Sequence, residues 1–498
     1  MKEIDNYRLE IDRIDEELLR LFEQRMEVSE KIGQYKKDHD LPETDTKREE
    51  EILKKDESLV QEKWVKDAKD FHQELFRLSK KNQKKIKGEG EDFLKGNADY
   101  SDYVDAAFSA SRKAKSDIAA GYDTLNATLG SLYGEDGLIK SFTTVYDTYA
   151  KIDSRRKTSY SSSIAGNDDF NEEVFKWINR NENLHLYHRG VASPGGTGAI
   201  ALVIDNCLER NETLLIPDVA WGSYRLMAKK NDLKIKEYSF VKGEEISLED
   251  LKYQCEKLMD EQGKTVVVIN DPCQNPTGVS LGKERWVELI SFFNGLSKKG
   301  PVLVLNDIAY IDYAYDQEHV TDYLSAFNEA NDNVVFAVAF STSKSLTAYG
   351  MRLGECVLLG KDPAKVDHLA NAFIRDARSS WGSANNGFMD CFVKLMREHK
   401  EEYLREKEEA ILELKKRSDF FLAQAKEAGL PIYPYKEGFF VTLKVEGERL
   451  DRFQKELEKE HIYGVKFKKG MRIAICSLSI EKTDGLAFRL KEILDRIQ

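Results

Sequence analysis

Over the first 88 residues, apolar positions return at alternating intervals of three and four. Positions 8, 11, 14, 18, 21, 25, 28, 32 and 35 read Arg, Ile, Ile, Leu, Leu, Arg, Val, Ile, Tyr, one stripe of a long helix. Asp40-Leu41-Pro42 predicts a break, followed by a short helix over roughly 46–55 and a long one over about 59–87. On the last, Val65, Ala68, Phe71, Leu75, Leu78 and Ile86 are expected inward. A single proline, no cysteine and, before Gly88, a single glycine fit a helical region.

Residues 88–97, Gly-Glu-Gly-Glu-Asp-Phe-Leu-Lys-Gly-Asn, read as a linker. Beyond them, short apolar runs alternate with amphipathic stretches. Thr265–Ile269, Val302–Leu305, Val334–Phe340 and Cys356–Leu359 are continuous β-branched or apolar runs, which suit parallel strands covered on both faces. The expected organisation is therefore a helical domain over 1–88 and a large α/β domain over 98–498.

Composition narrows the classes. At 498 residues more than one domain is expected, and 41% hydrophobic residues suffice for real cores. A net charge of −12 argues against nucleic-acid binding. No apolar run reaches membrane-spanning length, and Met-Lys-Glu-Ile-Asp-Asn-Tyr has no signal core. Cysteines 207, 255, 273, 356, 391 and 476 are scattered without C-x-x-C spacing, as expected of reduced thiols in a cytoplasmic protein.

Arg8 and Arg25 interrupt the apolar stripe, and a buried guanidinium needs an anion to meet it. That anion can be a carboxylate of the protein or a ligand. One helix holds the two arginines roughly 25 Å apart at 1.5 Å per residue. A second chain running antiparallel would bring Arg8 of one copy near Arg25 of the other, which predicts a dimer with shared sites. Lys36 lies beyond Arg25; Asp45, Arg48 and Glu49 open the short helix; Ser79 and Gln83 share one face of the third. Lys80, Lys81, Lys84, Lys85 and Lys87 read as a solvated face.

In these residues and spacings, from Ile-Asp-Arg-Ile-Asp-Glu-Glu-Leu-Leu-Arg-Leu-Phe-Glu-Gln-Arg through Ile-Gly-Gln-Tyr-Lys to Asp-Thr-Lys-Arg-Glu, residues 4–86 resemble the all-helical chorismate mutase family. The resemblance implies that Lys36 and Gln83 serve the ether oxygen of chorismate, where negative charge grows as the bond breaks. It implies that Arg25, and Arg8 from a partner chain, take carboxylates. Arg48 and Ser79 would order the ring end, Glu49 would accept from the ring hydroxyl, and Asp45 would lie in the site.

In the second region, Asn275, Asp307, Lys344 and Arg352 follow in that order, within Asn-Asp-Pro-Cys-Gln-Asn-Pro-Thr-Gly, Leu-Asn-Asp-Ile-Ala-Tyr and Ser-Thr-Ser-Lys-Ser-Leu-Thr-Ala-Tyr-Gly-Met-Arg. An amide, a carboxylate, an amine and a guanidinium are what pyridoxal 5'-phosphate needs. The amine takes the aldehyde, and the carboxylate keeps the ring nitrogen protonated. Ser193-Pro194-Gly195-Gly196-Thr197-Gly198 precedes an apolar helical run, where backbone N–H groups can approach a phosphate.

From about residue 98 to the C-terminus the chain resembles the fold-type I aminotransferases of the aspartate and aromatic class. The resemblance implies a large, mainly parallel sheet domain plus a small domain. It places Asn275 and Tyr310 at the ring hydroxyl, Asp307 at the ring nitrogen and Trp221 on the ring face. Ser341, Arg352 and the Gly196 and Thr197 amides would hold the phosphate. Arg472 would grip the substrate α-carboxylate, Arg375 or Arg378 would read its side chain, and the Leu125–Gly137 segment, with Gly130, would cover it. One departure stands out. The family often has a tyrosine reaching the phosphate across the dimer, and here Tyr160, in Ser159-Tyr160-Ser161-Ser162-Ser163, is one place off.

The expectation is a fusion of chorismate mutase with an aminotransferase of an aromatic-pathway 2-oxo acid, at least dimeric. Two alternatives stay open: a lyase on the same fold would share Lys344, Asp307 and Arg472, and the helical domain could be a sensor or dimerisation module.

Overall fold

The interval-three-and-four stripe folds as a helix longer than the stripe itself. In the computed structural model, which describes residues 2–42, 45–87 and 103–497, α1 runs Lys2–Asp38, α2 Thr46–Leu59 and α3 Val65–Lys87. The chain divides into two compact units, Met1–Ser101 and Asp102–Gln498. The expected linker at 88–97 lies outside the described residues.

In the first unit α3 lies along the C-terminal half of α1. Gly33 makes this possible: a methyl there would sit 2.9 Å from Gln83 Cγ, so only glycine lets the helices approach so closely. Asp45 caps α2, accepting from the Arg48 N–H at 3.0 Å. Three polar pairs join α2 to α3: Glu49–Lys80 at 2.8 Å, Asp56–His72 at 2.8 Å and Glu57–Lys69 at 2.6 Å.

Two expectations are corrected here. Phe71 is 50% exposed; the inward arc of α3 instead carries Leu75, Phe76, Ser79 and Gln83. Lys80 is not on a freely solvated face but paired to Glu49. The N-terminal half of α1 shows a third feature. Ile11, Ile14, Leu18 and Leu21 are all exposed within the single chain. Periodicity identifies an apolar face but not whether the same chain covers it.

The second unit centres on a seven-stranded sheet. Its strands are β1 (Tyr187–Ser193), β2 (Thr213–Pro217), β3 (Lys234–Tyr238), β4 (Thr265–Asn270), β5 (Val302–Asp307), β6 (Val334–Ser341) and β7 (Gly354–Gly360). The order is β1-β7-β6-β5-β4-β2-β3. Strands β4 to β7 are buried along their whole length, as continuous apolar runs require. The pairs from β6 through β3 are parallel, but β7 is antiparallel to both β6 and β1. This corrects the Cys356–Leu359 expectation. The chain turns back on itself, with Gly354 opposite Ser341 and Leu359 opposite Phe336.

Four more helices matter: α4 (Gly195–Asn206), α5 (Ser223–Lys230), α6 (Pro363–Ser380) and α7 (Lys400–Ala428). A three-stranded sheet of β8 (Phe440–Leu443), β9 (Val465–Phe467) and β10 (Gly470–Ala474), ordered β8-β10-β9, adds the smaller layer. The register sets Asn270 beside Asp307, Asp307 beside Ala339, and Ser341 and Ser193 beside Gly354. The carboxyl ends of β4, β5, β6 and β1 thus share one edge, where open α/β sheets place ligands. Among the described residues no helix is long and apolar enough to cross a membrane, and all six cysteines are free thiols.

Candidate active sites

Lys344 sits on the single turn Thr342–Ser345 that follows β6. Its Nζ donates to the Gly130 carbonyl at 2.6 Å and lies 5.3 Å from the Tyr310 ring centre and 4.8 Å from that of Tyr349. Burial between these rings lowers its pKa to about 8, with Arg472 and Arg352 pushing the same way. Roughly one molecule in ten then carries a neutral, nucleophilic amine at pH 7.

Asp307 ends β5, buried, and accepts from the Tyr224 hydroxyl at 2.5 Å and the Ala309 N–H at 3.0 Å. Burial raises its pKa; these donors and the Lys344 cation oppose the rise. Tyr224 was not foreseen from the sequence. The signal was there: it follows Trp221 by one helical turn, and its ring meets the Trp221 ring edge-on at 5.5 Å. Trp221 itself is half-buried.

Arg472 on β10 is buried. One guanidinium nitrogen donates to Asn275 Oδ1 at 3.1 Å and the other to the Thr128 carbonyl at 2.5 Å, while Cζ lies 4.2 Å from the Phe440 ring centre. Its Nε has no partner, and among the described residues no carboxylate pairs with it. Burial lowers its pKa. A desolvated guanidinium of this kind is complementary to a carboxylate brought by a ligand. Asn275 keeps its amide N–H groups for another acceptor.

The anion cradle forms where α4 begins. Gly195 has φ +75°, and a methyl on it would lie 2.6 Å from Arg352 Nη2. Arg352 is exposed; it donates to Ser343 Oγ at 3.0 Å and to the Pro194 carbonyl at 3.2 Å. Gly196 abuts Ser341, its added methyl 3.2 Å from Ser341 Cβ. The first-turn N–H groups of α4, including Gly196 and Thr197, have no intrahelical acceptor. Phosphate oxygens suit these donors together with Arg352.

In the first unit, Arg25, Ser29, Gly33 and Lys36 follow at helical spacing on α1 and include the contacts with Ser79 and Gln83 of α3. Arg25 Nη1 donates to Ser79 Oγ at 2.7 Å, and burial lowers the arginine's pKa. Gln83 Nε2 points at Ser29 Oγ at 3.3 Å, and its buried Oε1 has no partner. A half-turn of the amide lets Ser29 donate to Oε1 and frees Nε2. Ser29 too was missed, though it lies one turn beyond Arg25. Arg48 pairs with Glu51 at 3.0 Å, and Arg8 pairs with Asp5 at 3.3 Å on the exposed N-terminal half of α1.

The family model of class I and II aminotransferases matches residues 128–490. The chain belongs to that family. Residues 7–84 match the model of chorismate mutase type II, so the aminotransferase carries a mutase-type domain ahead of its own. It is 24% identical over 357 residues to aspartate aminotransferase of Haemophilus influenzae, covering 69% of this chain and 87% of that one. Its match to aspartate aminotransferase of Escherichia coli strain K12 is 30% identical and covers 39% of this chain but only 48%, about half, of the relative; the Salmonella typhi match likewise covers 48%. Among solved structures, an aminotransferase of Anaerococcus prevotii superposes with TM-score 0.78 at 29% identity, over 81% of this chain and 99% of that one. Aromatic-amino-acid aminotransferase of Burkholderia pseudomallei, covalently bound to pyridoxal phosphate, shares the fold at TM-score 0.64 and 18% identity, over 80% and 100%.

Pyridoxal phosphate fits the residues of this aminotransferase. Lys344 would hold its aldehyde carbon, Asp307 its ring nitrogen, Asn275 and Tyr310 its hydroxyl, and Arg352, Ser341 and the α4 amides its phosphate. Arg375 and Arg378 are not brought to this cluster. Both are exposed on α6, whose buried side carries Val366, Ala370, Phe373 and Ala377. Tyr160 is 87% exposed.

Proposed function

We propose that the protein is bifunctional, with a helical unit that rearranges chorismate to prephenate and an α/β unit that transaminates an aromatic-pathway 2-oxo acid. The observation that carries the second half is Arg472: a buried guanidinium which no carboxylate among the described residues meets, linked through Asn275 and then Asn270 to the backbone carbonyl of Asp307. An α-carboxylate bound there presents its α-carbon toward the lysine.

Bound pyridoxal phosphate supplies an aldehyde and a ring that accepts electrons. The protein's part is binding and proton placement. Asp307 holds the proton on the ring nitrogen, and Tyr224 holds Asp307. Lys344 Nζ would hold the aldehyde carbon and, when free of it, would be the base that moves the α-proton.

In the helical unit no nucleophile is needed. Arg25 clamps a carboxylate, Lys36 and Gln83 face the ether oxygen, and Glu49 takes the ring hydroxyl, with Arg48, Ser79 and Asp45 around it. Fixed donors lower the barrier where charge develops. The exposed stripe of α1 supports a dimer of at least two chains, in which Arg8 reaches the partner's site. Arg375 or Arg378, both exposed on α6, would read a substrate side chain.

Steady-state kinetics with chorismate for the first unit, and with prephenate, phenylpyruvate and 4-hydroxyphenylpyruvate against glutamate and aspartate for the second, test the proposal. Turnover of at least one aromatic-pathway acid with kcat/KM above that for oxaloacetate is expected. Preference for oxaloacetate alone, or no consumption of chorismate, overturns the corresponding half.

A further inference from the structure

Lys80 follows Ser79 directly and precedes Gln83 by one turn, so it borders the proposed chorismate site without belonging to the set of residues expected there. Its Nζ meets Glu49 at 2.8 Å and 3.0 Å, one distance to each carboxylate oxygen. Both side chains are only about a third exposed, Lys80 at 32% and Glu49 at 26%. Contact with both oxygens turns the carboxylate toward the ammonium and limits how far it can swing. In sequence each member of the pair directly follows a residue expected to order the ring end of the substrate, Glu49 after Arg48 and Lys80 after Ser79.

We infer that Lys80 is a positioning residue of the mutase reaction. It holds Glu49 so that one oxygen is presented to the ring hydroxyl. This rests on the reading of the helical unit as a chorismate site. Two physical points favour it over a plain helix–helix strap. The strap has two other pairs, Asp56–His72 and Glu57–Lys69, that join α2 to α3 away from the site, so docking of α2 does not depend on Lys80. And a glutamate left without Lys80 would face an incoming dianion as an unpaired negative charge, raising the barrier to binding as well as loosening the hydroxyl contact.

A double-substitution cycle in the full-length chain decides the matter, read by the disappearance of chorismate, with thermal unfolding followed by circular dichroism and transamination as controls. Lys80→Met keeps the aliphatic stem and removes the charge. It should lower kcat/KM about tenfold, in line with loss of a charge-assisted hydrogen bond. Lys80→Arg should recover most of that loss. Glu49→Gln should also be impaired, and Lys80→Met with Glu49→Gln should be no worse than Glu49→Gln alone, because Lys80 acts through Glu49. Additive losses, or Lys80→Met within twofold of wild type while Glu49→Gln is impaired, overturn the inference and leave the site reading standing. Full activity in Glu49→Gln overturns the site reading for Glu49 and the inference with it. Should Lys80→Met lower the unfolding temperature markedly, Lys80→Gln is measured instead against the same outcomes.

Discussion

Removing the Tyr224 hydroxyl tests the electrostatics of the aminotransferase site at its most buried point. The phenol donates to Asp307 Oδ2 at 2.5 Å, a hydrogen bond that is stronger to the ionised carboxylate than to the protonated acid. A hydrogen bond to a charged group is worth roughly 1.5–3 kcal/mol. At 1.36 kcal/mol per unit, its loss raises the Asp307 pKa by about one to two units beyond the rise that burial already causes. The sign follows from the role. Asp307 must be ionised to hold the ring-nitrogen proton, so its contribution is present above its pKa and lost as pH falls through it. In Tyr224→Phe the acid limb of kcat/KM for transamination should therefore move upward by about one unit. Pyridoxal phosphate retention, measured by equilibrium dialysis, should weaken by about tenfold. Tyr238→Phe is the control: that buried hydroxyl donates to the Val268 carbonyl at 2.9 Å and bonds no carboxylate. An unmoved acid limb with cofactor affinity within twofold of wild type would refute the assignment of Tyr224 as the group that keeps Asp307 charged.

Lys344→Ala should abolish both transamination and the visible absorbance of lysine-bound cofactor, while chorismate consumption stays within twofold; retention of that absorbance would sink the lysine assignment. In the wild type, attachment of free pyridoxal phosphate should quicken about tenfold per pH unit up to about pH 8, where the Lys344 amine becomes neutral, and level off above it; a flat rate argues against the lowered pKa. Mixed dimers of Arg8→Ala and Arg25→Ala chains should regain mutase activity, since one of the two shared sites would be undamaged; confirmed hybrids without activity would show the site is not shared. Gln83→Glu should turn a mutase rate that varies little between roughly pH 6 and 8 into one that declines with rising pH, because a carboxyl donates only while protonated; identical profiles would remove Gln83 from the ether oxygen.

Much of the candidate site was legible in the sequence because its residues sit at or just after strand ends, where apolar runs stop abruptly. Asp307 and Lys344 mark the ends of β5 and β6 in this way. Tyr224 escaped because it lies inside a short helix, buried among apolar neighbours, and reads as core until its partner is known. The helical unit shows a different limit. The stripe of α1 was legible, yet spacing alone put Phe71 inward and Lys80 in solvent, and the fold does neither. Both errors concern the arc of α3 between α1 and α2, which is set by where two other helices lie. Asp45 shows how two roles compete for one residue: expected in the ligand site, it also caps α2. Arg375 and Arg378 stay outside the cluster because a single chain presents them on an exposed helix face.

The reversal between β6 and β7 has a consequence for how the site comes together. Ser341, Lys344 and Arg352 all lie on one brief excursion, from the end of one strand to the start of its hydrogen-bonded neighbour, closed where Ser341 pairs with Gly354. Closing so short a loop forfeits little chain entropy. The Lys344 amine and two of the residues proposed to hold the phosphate are thus a local structure, formed as soon as two adjacent strands zip. Asn275 and Asp307 come from earlier in the chain, and Arg472 from over a hundred residues later. Hydrogen exchange during refolding should find the amides of this excursion protected together with those of β6 and β7, before the Arg472 strand docks.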